Sequence, residues 1–272
     1  MLNKIRTKFL RELFPYLKLK DNNLNIFQKI GIYINIVIQV FLIIWVCIYF
    51  FSHLLYDIQY NNDNVTIFSN DKYYDKAGYD AILETITQHI NNTYKKDTNI
   101  EIYIVNNEFL YTLHNPLEFL PNSTTYAVTQ GSKIFVKNAN IDKNLIYGYK
   151  NDTRPENLDA VLVHEIVHIL QSNKYGWFAS IIKTPYWVKE GYPIYSASAL
   201  SVYFKEDFMQ YAKKQNFREF SVFEQDLFYG FMVKHAIEKL HKSVDDLHLG
   251  KVNYDEVLQS FLQEYNITKE GK

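Results

Sequence analysis

Two histidines four residues apart, His164 and His168, sit in the otherwise apolar stretch AVLVHEIVHILQSNKYGW, Ala160 to Trp177, with Glu165 beside the first. Burying polar side chains costs free energy unless something engages them. On a helix the two imidazoles project from one face a turn apart, and both can reach a single tetrahedral metal ion. Glu165 is offset by about 100° from His164, which keeps it from ligating the same ion but lets it lean over a water bound there. This is the H-E-x-x-H arrangement of two zinc ligands and a general base. Glu165 is the only charged residue between Asp159 and Lys174, as a buried active-site helix requires.

A catalytic zinc ion needs a third protein ligand and an open position for water. The 21 residues after His168 contain no Asp, Glu or His, so Glu190, in WVKEGYPIY, is the first that can serve. A third histidine ligand at the metzincin spacing would need Gly at 171 and His at 174, where this chain has Gln171 and Lys174.

HEIVH followed by W-V-K-E-G resembles the gluzincin zinc peptidases, whose third ligand is a glutamate on the next helix, commonly within W-x-x-E-G. The short region after the apolar run resembles the minimal, peptidase-MA-like members. The resemblance covers about residues 75–245 and is sharp at 160–171 and 187–195. It implies one Zn2+ ion held by His164, His168 and Glu190, with Glu165 as the base in hydrolysis of a peptide or protein substrate. It also implies an oxyanion-stabilising side chain from a later helix, for which Tyr229 in LFYGFMVKH is the first candidate and His235 the second. Two departures stand out. Pro193 falls where a helix-compatible residue is usual, and Ile194 stands where some members carry an aspartate that orients a histidine. They leave open an alternative from another class, a catalytically silent gluzincin-like domain serving as a binding or scaffold module.

The elements that position these residues follow from local patterns. Thr153 and Glu156 have capping-box spacing with Pro155 between them, so the HExxH helix is expected to start there and run to about Ser172. Thr184 and Pro185 supply a cap and first position for the glutamate helix, which Pro193 must kink or end. Gly191 would allow that helix to approach the HExxH helix closely. Upstream, YDAILETITQHINNTY has helical periodicity, NIEIYIVNN alternates as a strand, and TTYAVTQGSKIFVKN reads as two strands about a turn near Gln130-Gly131. The strand Thr125–Gln130 is the candidate edge for an extended peptide. Downstream, FSVFEQDLFYGFMVKHAIEKLHK and NYDEVLQSFLQEY read as helices. Helix, strands, then several helices predict an α+β fold: a minimal zincin-like domain over 75–272, with a small sheet and segregated helices.

The chain of 272 residues has a formal net charge of −1, and no basic excess points to nucleic acid. The charge is uneven: residues 1–56 carry seven Lys/Arg against two Asp/Glu, about +5, and the remainder about −6. The boundary lies in IGIYINIVIQVFLIIWVCIYFF, Ile30 to Phe51, 22 residues without a charge. As a helix it would span roughly 33 Å, against the ~30 Å hydrocarbon core of a bilayer. All seven basic residues precede it, which predicts a signal anchor with a cytoplasmic N-terminus (1–29), a transmembrane helix (30–52) and an extracytoplasmic remainder. Residues 4–18 could lie as a basic amphipathic helix on the inner face. The polar stretch from Tyr60 to Gly78 is expected to be a juxtamembrane linker, placed at 53–74. The only cysteine, Cys47, lies inside the apolar run, so no intramolecular disulfide is possible and an outer domain must rely on its core.

Overall fold

The structure, a computed structural model, describes residues 26–70, 75–93, 98–115, 127–147, 155–213 and 219–267. The chain divides after Leu55 into two units. The first contains helix α1, Ile26–Phe50, and a 3-10 turn at Ser52–Leu55. Among the described residues α1 is the one helix long and apolar enough to cross a membrane. Within its uncharged run, Gln39 Nε2 donates to Asn35 Oδ1 at 2.8 Å one turn back. The basic segment 4–18 lies outside the described residues.

The second unit is α+β. A five-stranded sheet contains β1 (Ile58–Asn62), β2 (Val65–Ser69), β3 (Ile100–Ile104), β4 (Ala127–Gln130) and β5 (Lys133–Val136), in the order β1-β2-β3-β5-β4. β2, β3 and β5 run parallel, while β1 and β4 close the two edges antiparallel. The parallel pair β2–β3 needs a crossover, and α2 (Lys76–Thr93) supplies it. The stretch read from sequence as a linker therefore contains a hairpin, and β2 is an interior strand. Its apolar residues, Val65, Ile67 and Phe68, are too few to stand out beside the polar run Asn61–Asn64, which ends β1 and forms the turn at Asp63 and Asn64.

Alternation along the strands gives the sheet two buried faces. Val65, Ile67, Ile100, Ile102, Ile104, Ile134 and Val136 point into the main core with Ile82, Leu83 and Ile86 of α2. Phe68, Tyr103 and Phe135, which are register partners, stack across the opposite face at 4.9 and 4.8 Å between ring centroids. Tyr56 and helix α3 (Glu108–His114) cover that ladder with Tyr111 and His114.

A small antiparallel sheet follows: β6 (Ala139–Asn140), β7 (Leu145–Tyr147) and β8 (Pro155–Asn157). Then come α4 (Leu158–Tyr175), α5 (Trp177–Ile182), α6 (Tyr186–Ser196), α7 (Glu206–Ala212), α8 (Val222–Glu238), α9 (Val244–His248) and α10 (Tyr254–Tyr265). Helix α4 starts later than the expected capping box: its N-cap is Asn157, without a side-chain cap hydrogen bond, and Thr153 lies outside the described residues. Pro155 and Glu156 belong to β8, and the Glu156 carboxylate instead accepts from the Val202 N–H and the Ser201 hydroxyl, both at 3.2 Å. The opening N–H groups of α4 are satisfied from the β6–β7 loop: Leu158 N–H donates to the Asn144 carbonyl and Asp159 N–H to Asn144 Oδ1, each at 3.0 Å. The helix also runs to Tyr175, beyond the expected Ser172.

Candidate metal centre

Helix α4 is apolar nearly all round, with Leu162, Val163, Ile166, Val167 and Ile169 buried; His164, Glu165 and His168 make its polar stripe. A helix apolar on most sides is held on most sides, and α2, β4 and α6 all pack on it. The stripe faces α6, which presents Glu190. Its start differs from expectation by one residue: Pro185 is the N-cap, and the Thr184 hydroxyl donates to the His248 carbonyl at 3.1 Å. Pro193 lies within α6, which continues to Ser196. Proline cannot donate to the carbonyl four residues back, and the helix ends within a turn of it.

Gly191 has its close approach to a different helix from the one expected. A Cβ there would meet the Tyr229 carbonyl oxygen of α8 at 2.6 Å. On the α8 side, a Cβ at Gly230 would meet Ile194 Cγ2 at 2.5 Å. Gly191 lets α6 seat on the backbone of α8, Gly230 makes room for the Ile194 side chain, and this seating sets where Glu190, one residue before Gly191, is delivered.

The three side chains converge. His164 Nε2 and His168 Nε2 are 3.1 Å apart, with rings nearly perpendicular at 78°. Glu190 Oε2 lies 3.5 Å from His168 Nε2 and 3.8 Å from His164 Nε2. Side-chain exposure of 18–22% leaves all three reachable from solvent. They are the one group of three potential ligands among the described residues whose donor atoms all fall within 4.8 Å of one another. A tetrahedral ion with bonds of ~2.0–2.1 Å holds adjacent donors roughly 3.3–3.4 Å apart. The three observed separations straddle that figure, so the set fits such an ion.

Electrostatics follow from this proximity. Burial pushes the His164 imidazole down to about 4, and the His168 charge adds to it. Burial also works against protonation of His168, but its hydrogen bond to Glu190 and the charges of Glu165 and Glu190 outweigh that and hold its pKa above the ordinary value. Burial would raise Glu190, yet the bond to His168 and the two imidazoles bring it to about 2.

Glu165 points elsewhere on the same side. Its Oε2 accepts from the hydroxyl of Thr129, on edge strand β4, at 2.5 Å. The sequence gives no sign of this pair, 36 residues apart. Residues 125 and 126 of the expected edge lie outside the described residues; 127–130 do form the edge strand.

The two proposed oxyanion residues separate. Tyr229 lies on α8 with its hydroxyl accepting from Gln225 Nε2 at 2.8 Å, and its ring meets that of Tyr186 edge-on at 6.1 Å. His235 is turned away, bonded through Nε2 to Ser260 Oγ at 3.0 Å and packed on Phe261 and Tyr265 of α10. It is not part of this site. Asp226 was missed. The Tyr186 hydroxyl reaches its carboxylate at 3.5 Å, and burial and the nearby Glu190 charge push the Asp226 carboxyl up to about 7. Two spacings could have flagged this pair: Tyr186 is four residues before Glu190, and Asp226 three before Tyr229.

No family model matches the chain, and neither a curated protein nor a solved structure matches it.

Proposed function

We propose that this protein is a membrane-anchored zinc metallopeptidase of the gluzincin type, with a minimal zincin-like catalytic unit outside the cytoplasm. The observation that carries this reading is the meeting of His164, His168 and Glu190 at ion-binding separations, with Glu165 next in sequence to the first ligand. His164 and His168 would bind through Nε2, and Glu190 through Oε2. Zinc bound there would polarise the scissile carbonyl and lower the pKa of a bound water.

The chain's own groups do the rest. Glu165, anchored through Oε2 by the Thr129 hydroxyl, keeps Oε1 to accept a proton from the attacking water and deliver it to the leaving amide nitrogen. An extended peptide would add along β4 by main-chain hydrogen bonds, which lays its scissile bond past Glu165. Tyr229 is the candidate for stabilising the developing oxyanion, and Tyr186, held towards Asp226, stands beside it. Helix α1 would be the signal anchor, oriented by the seven basic residues before it.

The experiment is Glu165→Gln in the full-length protein, assayed for bound zinc and for cleavage of a peptide library. Zinc should stay stoichiometric while cleavage disappears. Undiminished cleavage by the variant would sink the catalytic assignment, and a zinc-loaded wild type that cleaves nothing would favour the silent binding module.

A further inference from the structure

Helix α5, the connection between the two helices that carry the candidate ligands, is turned inside out. Its small and polar residue Ser180 is buried, with the hydroxyl donating to the Gly176 carbonyl at 2.7 Å. Its large apolar residues face solvent: Trp177 is 69% exposed, Phe178 63% and Ile182 62%. At 100° per residue these three fall within an arc of about 140°, so they form one face. Two more exposed apolar side chains adjoin it. Tyr186 opens α6 four residues on, and Leu249 is brought alongside by the Thr184–His248 hydrogen bond and by Gly250, whose Cβ position lies 3.4 Å from the Lys183 carbonyl oxygen.

The chemistry of this patch selects its partner. Together the five side chains expose roughly 600 Å², taking about 200 Å² as a full aromatic side chain. That is at the top of the range for apolar patches on monomers. Trp, Tyr and Lys beside aliphatic residues are the composition of a membrane–water interface. Lys183 lies exposed within the patch, while Lys174 and Lys251 at its margin are paired with Asp245 and Asp246 at 2.6 and 3.2 Å. The charge is thus nearly balanced, which suits insertion driven by apolar area rather than by anionic lipid. Five residues separate α1 from the first residue of the folded unit, so if α1 spans a bilayer the folded unit is tethered to its surface, and tethering makes a weak contact sufficient.

We propose that Trp177, Phe178 and Ile182, with Tyr186 and Leu249, insert into the interfacial layer of the bilayer that α1 spans. This rests on the reading of α1 as a span. Combined with the peptidase reading, it would fix the candidate metal centre close above the lipid surface and direct it to peptide segments that emerge from, or lie along, the membrane.

The test uses the full chain in phosphatidylcholine nanodiscs with a nitroxide on single cysteines, comparing collisional access to oxygen, which favours lipid, and to a water-soluble nickel chelate. Native Cys47 reports on α1; Phe178→Cys and Ile182→Cys, each with Cys47→Ala, report on the patch. Phe109→Cys, at an exposed aromatic on α3, provides the reference. The expected result is an oxygen-to-nickel ratio at 178 and 182 several-fold above that at 109, similar with and without phosphatidylglycerol, and a still higher ratio at 47. A lipid-like ratio at 47 with water-like ratios at 178 and 182 would overturn the insertion while leaving the span intact. A water-like ratio at 47 would remove both. Loss of access to both reagents at 178 and 182 would mean that protein, not lipid, covers the patch, and would overturn the proposal equally.

Discussion

His164 and His168 on one side of the central sheet, and His114 on the other, place imidazoles among similarly apolar neighbours with opposite fates for their nitrogens. The first two aim Nε2 at each other across 3.1 Å, with Glu190 closing the triangle. His114 is 2% exposed and stacked on Phe135 at 4.3 Å, and neither of its ring nitrogens has a hydrogen-bond partner among the described residues. Burial, helped by the Lys133 charge, pushes its pKa down to about 4, much as burial does at His164. Burial and a depressed pKa therefore do not mark a site. What distinguishes the α4–α6 cluster is that its lone pairs converge on one point with an anion beside them, whereas His114 serves as a flat ring in an aromatic ladder.

The contrast is easiest to break with metal. His168→Ala or Glu190→Ala should weaken zinc binding by more than the ~10–100-fold associated with outer-sphere partners, measured by competition with a chromophoric chelator. His114→Phe should bind zinc as wild type does. Equal losses in all three would mean that zinc stability reflects the fold rather than the cluster.

Acid should reveal the other member of the pair. An unfolded histidine titrates near 6.5, and folded His114 near 4, so between those values the unfolded chain binds more protons and stability falls as pH drops. The full contribution is present above pH ~6.5, and about 3 kcal/mol is lost by pH ~4, at ~1.36 kcal/mol per unit. Urea unfolding across this window should show the loss in wild type. In His114→Phe, which also removes two unpartnered nitrogens from the core, the slope should be correspondingly shallower and stability at neutral pH unchanged or higher.

A smaller effect tests how the converging side is held together. Gly191→Ala would drive a methyl group to 2.6 Å from the Tyr229 carbonyl oxygen. Separating α6 from α8 should cost about 1–3 kcal/mol and weaken zinc binding by displacing Glu190. Unchanged zinc affinity alongside the stability loss would show that Glu190 is not positioned through this contact. The most local change is Thr129→Val, which removes one hydrogen bond to Glu165. It should lower turnover with zinc retained, and Thr129→Ser should restore it.

What the sequence determined is local. Four-residue spacing puts His164 and His168 on one helix face whatever surrounds it, so the pair was legible at once. The same periodicity located α2, α8 and α10, strand alternation located β3, and Gln130-Gly131 marked the hairpin of β4 and β5. Glu190 was legible by exclusion, as the first acid or histidine after His168. The rest depended on residues far apart in the chain. Asn144 supplies the helix start that Thr153 and Glu156 were expected to provide. Gly191 seats its helix on α8, not α4. β2 is an interior strand because Ile100–Ile104 pairs alongside it, and Thr129 meets Glu165 only because β4 forms an edge beside α4. Helical spacing is set by backbone geometry within a few residues, which every such sequence carries with it. Which face meets which is set by how sheet and helices bury their apolar area together, and only the folded chain decides that.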